Sequence, residues 1–105
     1  MQEFAALSAT NHAKMYGLYP RKGSIMIGAD ADIAIWDPSR KVTLTQDLMR
    51  HGSDCTPYEG IEVTGWPVKT LVRGVVVNND GNVVGPVVHG RFLPRETGRG
   101  AAFQM

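Results

Sequence analysis

Gly28-Ala29-Asp30-Ala31-Asp32-Ile33-Ala34-Ile35-Trp36-Asp37-Pro38, residues 28–38, decides how the rest of the chain is read. Gly28 suits a tight turn with positive φ, and the Asp30 carboxylate can accept hydrogen bonds from turn amides. Asp32–Trp36 alternates as a half-buried strand, with Ile33 and Ile35 on one face and Ala34 and Trp36 on the other. Asp37-Pro38-Ser39 is expected to stop that strand. Turn, strand and stop in quick succession predict a sheet built from short strands.

Upstream the texture is helical. Residues 2–16 place Phe4, Leu7 and Met15 near one face, and Ala5, Ala6 and Ala9 supply helix propensity. The segment is either one helix or a pair, because Asn11 is a preferred N-cap that can start a second helix at His12. Gly17 is placed to end it as the residue after the C-cap. Leu18-Tyr19-Pro20 is expected to leave extended. Between Gly23 and Gly28 the residues Ser24–Ile27 alternate as in a strand.

Downstream, Lys41–Leu44 reads as a short strand and Thr45–Arg50 as a helical turn capped by Thr45. His51–Gly60 is a loop rich in Gly, Ser, Asp and Pro. Ile61–Thr64, Val68–Arg73 and Val75–Asn78 read as three further strands. Gly65 and Pro67 punctuate the first two, and Gly74 marks a bulge or bend between the last two. Asp80-Gly81 is a type I′ hairpin signal, returning Val83-Val84 antiparallel to Val75–Asn78. Helices at the front and five or six short strands behind leave little to form a second covering layer. The expectation is a sheet completed by sequence not present here.

The totals bound what the chain can do. It has 105 residues, enough for one domain, with 11 Lys plus Arg against 10 Asp plus Glu. No basic cluster interleaves with aromatics, so no nucleic-acid partner is expected; Arg91, Arg95 and Arg99 read as a solvated or partner-contacting tail. The lone Cys55 excludes an internal disulfide framework and fits a reducing compartment. Residues 1–17 lack the basic start and continuous apolar run of a signal peptide, and no stretch approaches a membrane span. A soluble, cytoplasmic protein is expected.

A resemblance narrows the reading. Arg21-Lys22-Gly23-Ser24-Ile25, with Gly28–Ile33 and Trp36-Asp37-Pro38, resembles a segment shared across the amidohydrolase superfamily. Ala9–Pro20 is similar to the last barrel-associated helices of its hydantoinase and dihydropyrimidinase branch, with His12 where that branch usually has proline. Ser53–Gly60, Val63–Val68, Arg73-Gly74, Asp80-Gly81 and Gly90-Arg91-Phe92-Leu93 extend the similarity over nearly the whole chain.

The fold class implied is mainly β: a short N-terminal helix or helix pair, then part of a composite β-sandwich, the small domain of a TIM-barrel metallo-dependent hydrolase. Residues 1–22 would pack on the barrel, 23–93 would form the sandwich portion, and 94–105 a flexible tail. The implied activity is hydrolysis of a cyclic amide or imide at a centre of two divalent, zinc-like metals. Those cations would acidify water and polarise the carbonyl together. Their implied ligands belong to the barrel. The partners implied are that N-terminal barrel part and further copies in a homo-oligomer. A second reading is a non-enzymatic interaction module, since proteins resembling collapsin response mediators keep this architecture without the catalytic ligands.

Within the chain, each residue type that could carry chemistry has an ordinary reading. His12, His51 and His89 are spread along the sequence with no His-x-His pair, and surface or loop positions are expected. Asp30 and Asp32 would point to one face of a strand, yet two carboxylates are too few for calcium. His51, Ser53 and Asp54 are hydrolase residue types crowded into one loop, where triad members normally converge from separate elements. Cys55 has no visible cause for a lowered thiol pKa. Arg21, Lys22 and Lys14 sit where cations favour a helix C-terminus. Trp66, Tyr58 and Phe92 are expected in core or interface packing. No catalytic, cofactor or metal residue is expected, and Gly23, Gly28, Asp30, Asp32, Asp37, Pro38, Gly65, Pro67, Gly74, Asp80 and Gly81 are assigned structural roles.

Overall fold

A computed structural model describes residues 1–86 and 89–95. Two compact units are present. One comprises Met1–Asp32, Val72–Gly74 and, of the C-terminal stretch, residues 89–95; the other comprises Ile33–Leu71 and Val75–Pro86.

The first unit opens on one unbroken helical run: α1 (Gln2–Ala5), a π-helical turn (Ala6–Thr10) and α2 (Asn11–Met15). The possible break at Thr10-Asn11 does not occur. Asn11 has φ −66 and ψ −37, helical values, because alanine-rich sequence without Gly or Pro propagates through it. The Ser8 hydroxyl donates to the Phe4 carbonyl at 2.6 Å, competing with the backbone ladder where the turn widens. Gly17, at φ 74, ends the helix as expected. Leu18 N donates to Ala13 O at 2.8 Å and Gly17 N to Lys14 O at 3.4 Å, a Schellman pair. The extended exit is replaced by a turn containing a cis Tyr19–Pro20 peptide. Tyr19 N donates to Ala13 O at 3.1 Å, folding that residue back on the helix end.

Gly23 lies hard against this helix. A Cβ there would sit 2.5 Å from the Ala13 Cβ and 3.2 Å from the Ala9 carbonyl oxygen, and Thr10 Oγ1 donates to Gly23 O at 2.6 Å. Ala13 is the buried hydrophobic residue among those described. The alternating Ser24–Ile27 does not form a strand, since no neighbour supplies a ladder. It lies in a loop closed by Asp30 N donating to Arg21 O at 2.9 Å.

The second unit holds a four-stranded antiparallel meander in the order β1-β2-β3-β4: β1 (Ile33–Thr43), β2 (Glu62–Val72), β3 (Val75–Asn79) and β4 (Asn82–Val83). Four strands, two of them of 11 residues, replace the five or six short ones expected. Asp37-Pro38-Ser39 does not stop β1. The register passes from Asp37↔Trp66 to Lys41↔Thr64, so the proline lies in an irregularity of an edge strand, where a missing N–H is tolerated. Lys41–Leu44 belongs largely to the same strand. Likewise Gly65-Trp66-Pro67 lies inside β2, opposite that irregularity.

Both hairpin turns carry positive φ at two consecutive residues, Arg73 (45) with Gly74 (81) and Asp80 (51) with Gly81 (83). This is the I′ pattern whose twist matches paired strands. The bulge or bend expected at Gly74 is therefore a tight turn. At Asp80-Gly81 the expected hairpin forms, with Asn78↔Val83 paired and Val84 N donating to Val77 O at 2.9 Å. The Thr45 turn is a 3-10 helix, Gln46–Leu48, with no side-chain cap from Thr45. Glu59 accepts from Gln46 N at 2.6 Å instead. The chain is mainly β with a short N-terminal helix, as expected.

Candidate functional site

Four charged residues of the first unit, Arg21, Lys22, Asp30 and Asp32, gather at the loop closed by Arg21 and Asp30. Arg21 Nε and Lys22 Nζ each lie 3.0 Å from Asp30 Oδ2, and Lys22 also pairs with Asp32 Oδ2. The other Asp32 oxygen accepts from Arg73 N at 2.9 Å, and Gly74 N donates to Ala31 O at 2.9 Å. The Asp-x-Asp pair thus grips one lysine, one arginine and one turn amide. Hydrogen bonds from Lys22, then Arg21, hold the Asp30 carboxyl below its usual range. At Asp32 burial is the largest influence and pushes upward, but Lys22 and the Arg73 amide outweigh it and the carboxyl is lowered. Burial likewise opposes the charge on Lys22, yet Asp32 and Asp30 raise its pKa. A general acid needs a carboxyl raised toward neutrality, and these two are moved the other way.

A second polar group adjoins the Arg73-Gly74 turn. The Arg73 guanidinium donates to His89 O, and its Nη2 lies 3.4 Å from His89 Nδ1. His89 Nε2 lies 2.8 Å from Val72 O. A carbonyl only accepts, so Nε2 is the donor in that contact. Neither Arg73 nor His89 was singled out for this role from sequence. Reading Arg73-Gly74 as a two-residue I′ turn would have found the first.

The remaining candidates lie apart. His12 stacks on Tyr16, with ring centroids 6.3 Å apart, and Lys14 Nζ lies 5.0 Å from the Tyr19 ring centroid. His51 Nδ1 accepts from the Ser53 backbone amide at 3.1 Å, a turn contact within the loop. Cys55 is an exposed free thiol. Asp37 accepts from Ser39 through both its hydroxyl (2.8 Å) and its amide (3.0 Å), and these bonds lower its pKa. A Cβ on Gly65 would face Pro38 O at 3.9 Å. Pro67 lies opposite Trp36. Asp80 pairs with Arg40 across the sheet, and Arg50 donates to Gly81 O at 2.9 Å. Phe92 and Tyr58 are exposed, whereas Trp66 is half-buried. Arg95 is exposed, while Arg99 and most of the expected tail lie outside the described residues.

Among the described residues, no three side chains from His, Cys, Asp and Glu are grouped to hold one ion. These residues do not fit a two-cation centre. No helix among them is long and apolar enough to cross a membrane.

A helix, an ion-paired loop and an antiparallel meander define a small, mainly β module of the kind seen in hydantoinase structures. A solved structure of D-hydantoinase superposes with a TM-score of 0.86 at 41% identity, over 90% of this chain and 21% of that one. In sequence the chain is 41% identical over 95 residues to the D-hydantoinase of Ralstonia pickettii. It is 40% identical over 93 residues to the dihydropyrimidinase of Dictyostelium discoideum. It spans about a fifth of the length of these relatives, 21% and 18%. The family model described as "Amidohydrolase family" matches residues 1–92. The chain belongs to the amidohydrolase family, and the resemblance read from its sequence is borne out.

Proposed function

We propose that this chain is the C-terminal β-sandwich portion of a metal-dependent hydrolase that opens cyclic amides or imides, as hydantoinases and dihydropyrimidinases do. In this reading residues 1–22 pack on the catalytic barrel and 23–93 complete the sandwich. The chain's role is structural and at interfaces, and the two divalent metals belong to the barrel. The parent works as a cytoplasmic homo-oligomer. Gly23, Gly28, Asp30, Asp32, Asp37, Pro38, Gly65, Pro67, Gly74, Asp80 and Gly81 serve to hold turns and strands in place.

The observation that carries the proposal is similarity over nine-tenths of this chain to about a fifth of a D-hydantoinase. The ion-paired state of Asp30 and Asp32 supports it, because carboxylates committed to Lys22 and a backbone amide are fitted to hold a loop. An assay for ring opening of hydantoin and dihydrouracil, with zinc or manganese supplied, tests it. The isolated chain is expected to be inactive. Replacing the matching 95 residues of the Ralstonia pickettii enzyme with this sequence is expected to give an active chimera. Turnover by the chain alone, or an inactive chimera, contradicts the proposal.

A second reading, a non-enzymatic assembly module, draws on the many exposed apolar side chains, Leu7, Ile25, Ile27, Val83 and Phe92 among them. Light scattering separates it, since a strict monomer counts against assembly.

A further inference from the structure

The two hairpin turns are filled by different residues. Asp80-Gly81 uses types that suit two positive φ values, whereas the Arg73-Gly74 turn puts arginine at φ 45. Arginine has no short polar side chain to bond its own turn, so asparagine, aspartate or glycine would sit there with less strain. A strained residue points to a task for its side chain. The Arg73 guanidinium reaches 16 positions along the chain and donates to the His89 carbonyl. The His89 ring returns the bond, with Nε2 lying 2.8 Å from Val72 O.

Each side chain thus bonds the backbone of the other segment, a reciprocal pair of the kind that closes a capping box. Farther along, Leu93 and Pro94 border one hollow with residues 17–21 at the helix end. Among the described residues, no backbone-to-backbone hydrogen bond joins residues 89–95 to the rest of the chain. Arg91, Phe92, Pro94 and Arg95 are exposed, and Leu93 is half-buried. A segment without a ladder and with little buried apolar surface opens before the fold around it does. The backbone amide of Arg73 is committed elsewhere, to Asp32, so its grip on this segment comes from the guanidinium.

We infer that residues 89–95 are a strap clasped by Arg73, and that the strap opens and closes as a unit while the helix, the ion-paired loop and the meander stay folded. Arg73 takes on strain in its own turn in return for a hold on the strap's backbone. Opening offers Arg91-Phe92 to any protein that reads an extended chain, a protease included. None of this rests on the function proposed above.

The test uses the 105-residue chain and two readouts. Trypsin cleavage after Arg91, followed by intact mass, reports the open strap, and urea unfolding reports the fold. Arg73→Gly removes the guanidinium, keeps the amide that Asp32 accepts from, and suits φ 45. It is expected to speed that cleavage about tenfold while the urea midpoint stays or rises. Arg73→Asn, also at home in a left-handed turn, is expected to do the same. His89→Ala is expected to speed cleavage about fivefold, and His89→Gln, whose amide can donate to Val72 O, to leave it unchanged. Cleavage at the unmodified rate in Arg73→Gly and Arg73→Asn, or in His89→Ala, overturns the inference. Faster cleavage matched by a fall in the urea midpoint overturns it too, because the whole chain is then unfolding. An unmodified chain cut after Arg91 as fast as an unfolded peptide of the same sequence shows that no strap is held, and equally overturns it.

Discussion

The loop from Arg21 to Asp30 and the hairpin from Val75 to Val83 are both closed turns, held by different physics. The hairpin is set by its own backbone: Asp80 and Gly81 take the two positive φ values, and the strands pair at once on either side. The loop is set by groups distant in sequence, with Gly23 pressed on Ala13, Lys22 bridging Asp30 and Asp32, and Asp32 reaching the amide of Arg73. A local device survives wherever its two residues are placed. A nonlocal one exists only when all its parts are present.

Glycine substitutions sharpen that contrast most. Gly23→Ala combines a φ of +86 with a Cβ 2.5 Å from that of Ala13, and is expected to cost about 2–4 kcal/mol in urea unfolding. Gly28→Ala has a similar φ, +93, but nothing within 4 Å of its Cβ, so only backbone strain remains, about 1 kcal/mol. Equal losses at the two glycines would mean that the helix and the loop are not packed as described.

Charge gives smaller effects. Asp32→Asn keeps the shape but weakens the links to Lys22 and the Arg73 amide. About 0.5–1 kcal/mol is expected by the same measurement, limited by the carboxylate's partial exposure. The pH dependence has two edges. Asp30 and Asp32 are lowered from 3.8 on folding, so their stabilisation is complete above that value and fades as pH falls through the lower folded ones. Lys22 is raised from 10.5, so its contribution is present below that value and fades as pH climbs through the folded one. Urea midpoints that are flat below pH 4 would count against the ion-paired loop.

Least of all, Pro38→Ala is expected to move stability within about 0.5 kcal/mol, since an edge-strand irregularity neither needs nor forbids the amide. Its visible consequence is faster self-association, followed by light scattering, because one guard on the β1 edge is removed.

The same division explains what could be read from residues alone. Asp80-Gly81 was legible because a I′ turn is a two-residue decision, and Gly17 because a helix end needs only a left-handed residue. Asp37-Pro38-Ser39 was misread as a stop because tolerance of proline depends on which strand lies beside it. Ser24–Ile27 was expected to alternate as a strand, but three large apolar residues follow Ser24 in succession and find no ladder. The apolar run records exposure there, not pairing. Of the site, Asp30 and Asp32 were singled out and Lys22 noted only as a helix-end cation. Its grip on carboxylates eight and ten positions away, and the approach of His89 to Arg73, are set by tertiary placement that no spacing rule encodes.

Isothermal titration of the isolated chain with zinc, and separately with manganese, tests most directly whether its carboxylates belong to the loop or to a reaction centre. The predicted result is no stoichiometric uptake at neutral pH, with Asp30→Asn and Asp32→Asn indistinguishable from the unmodified chain. Tight binding of one or two ions that those substitutions abolish would contradict it.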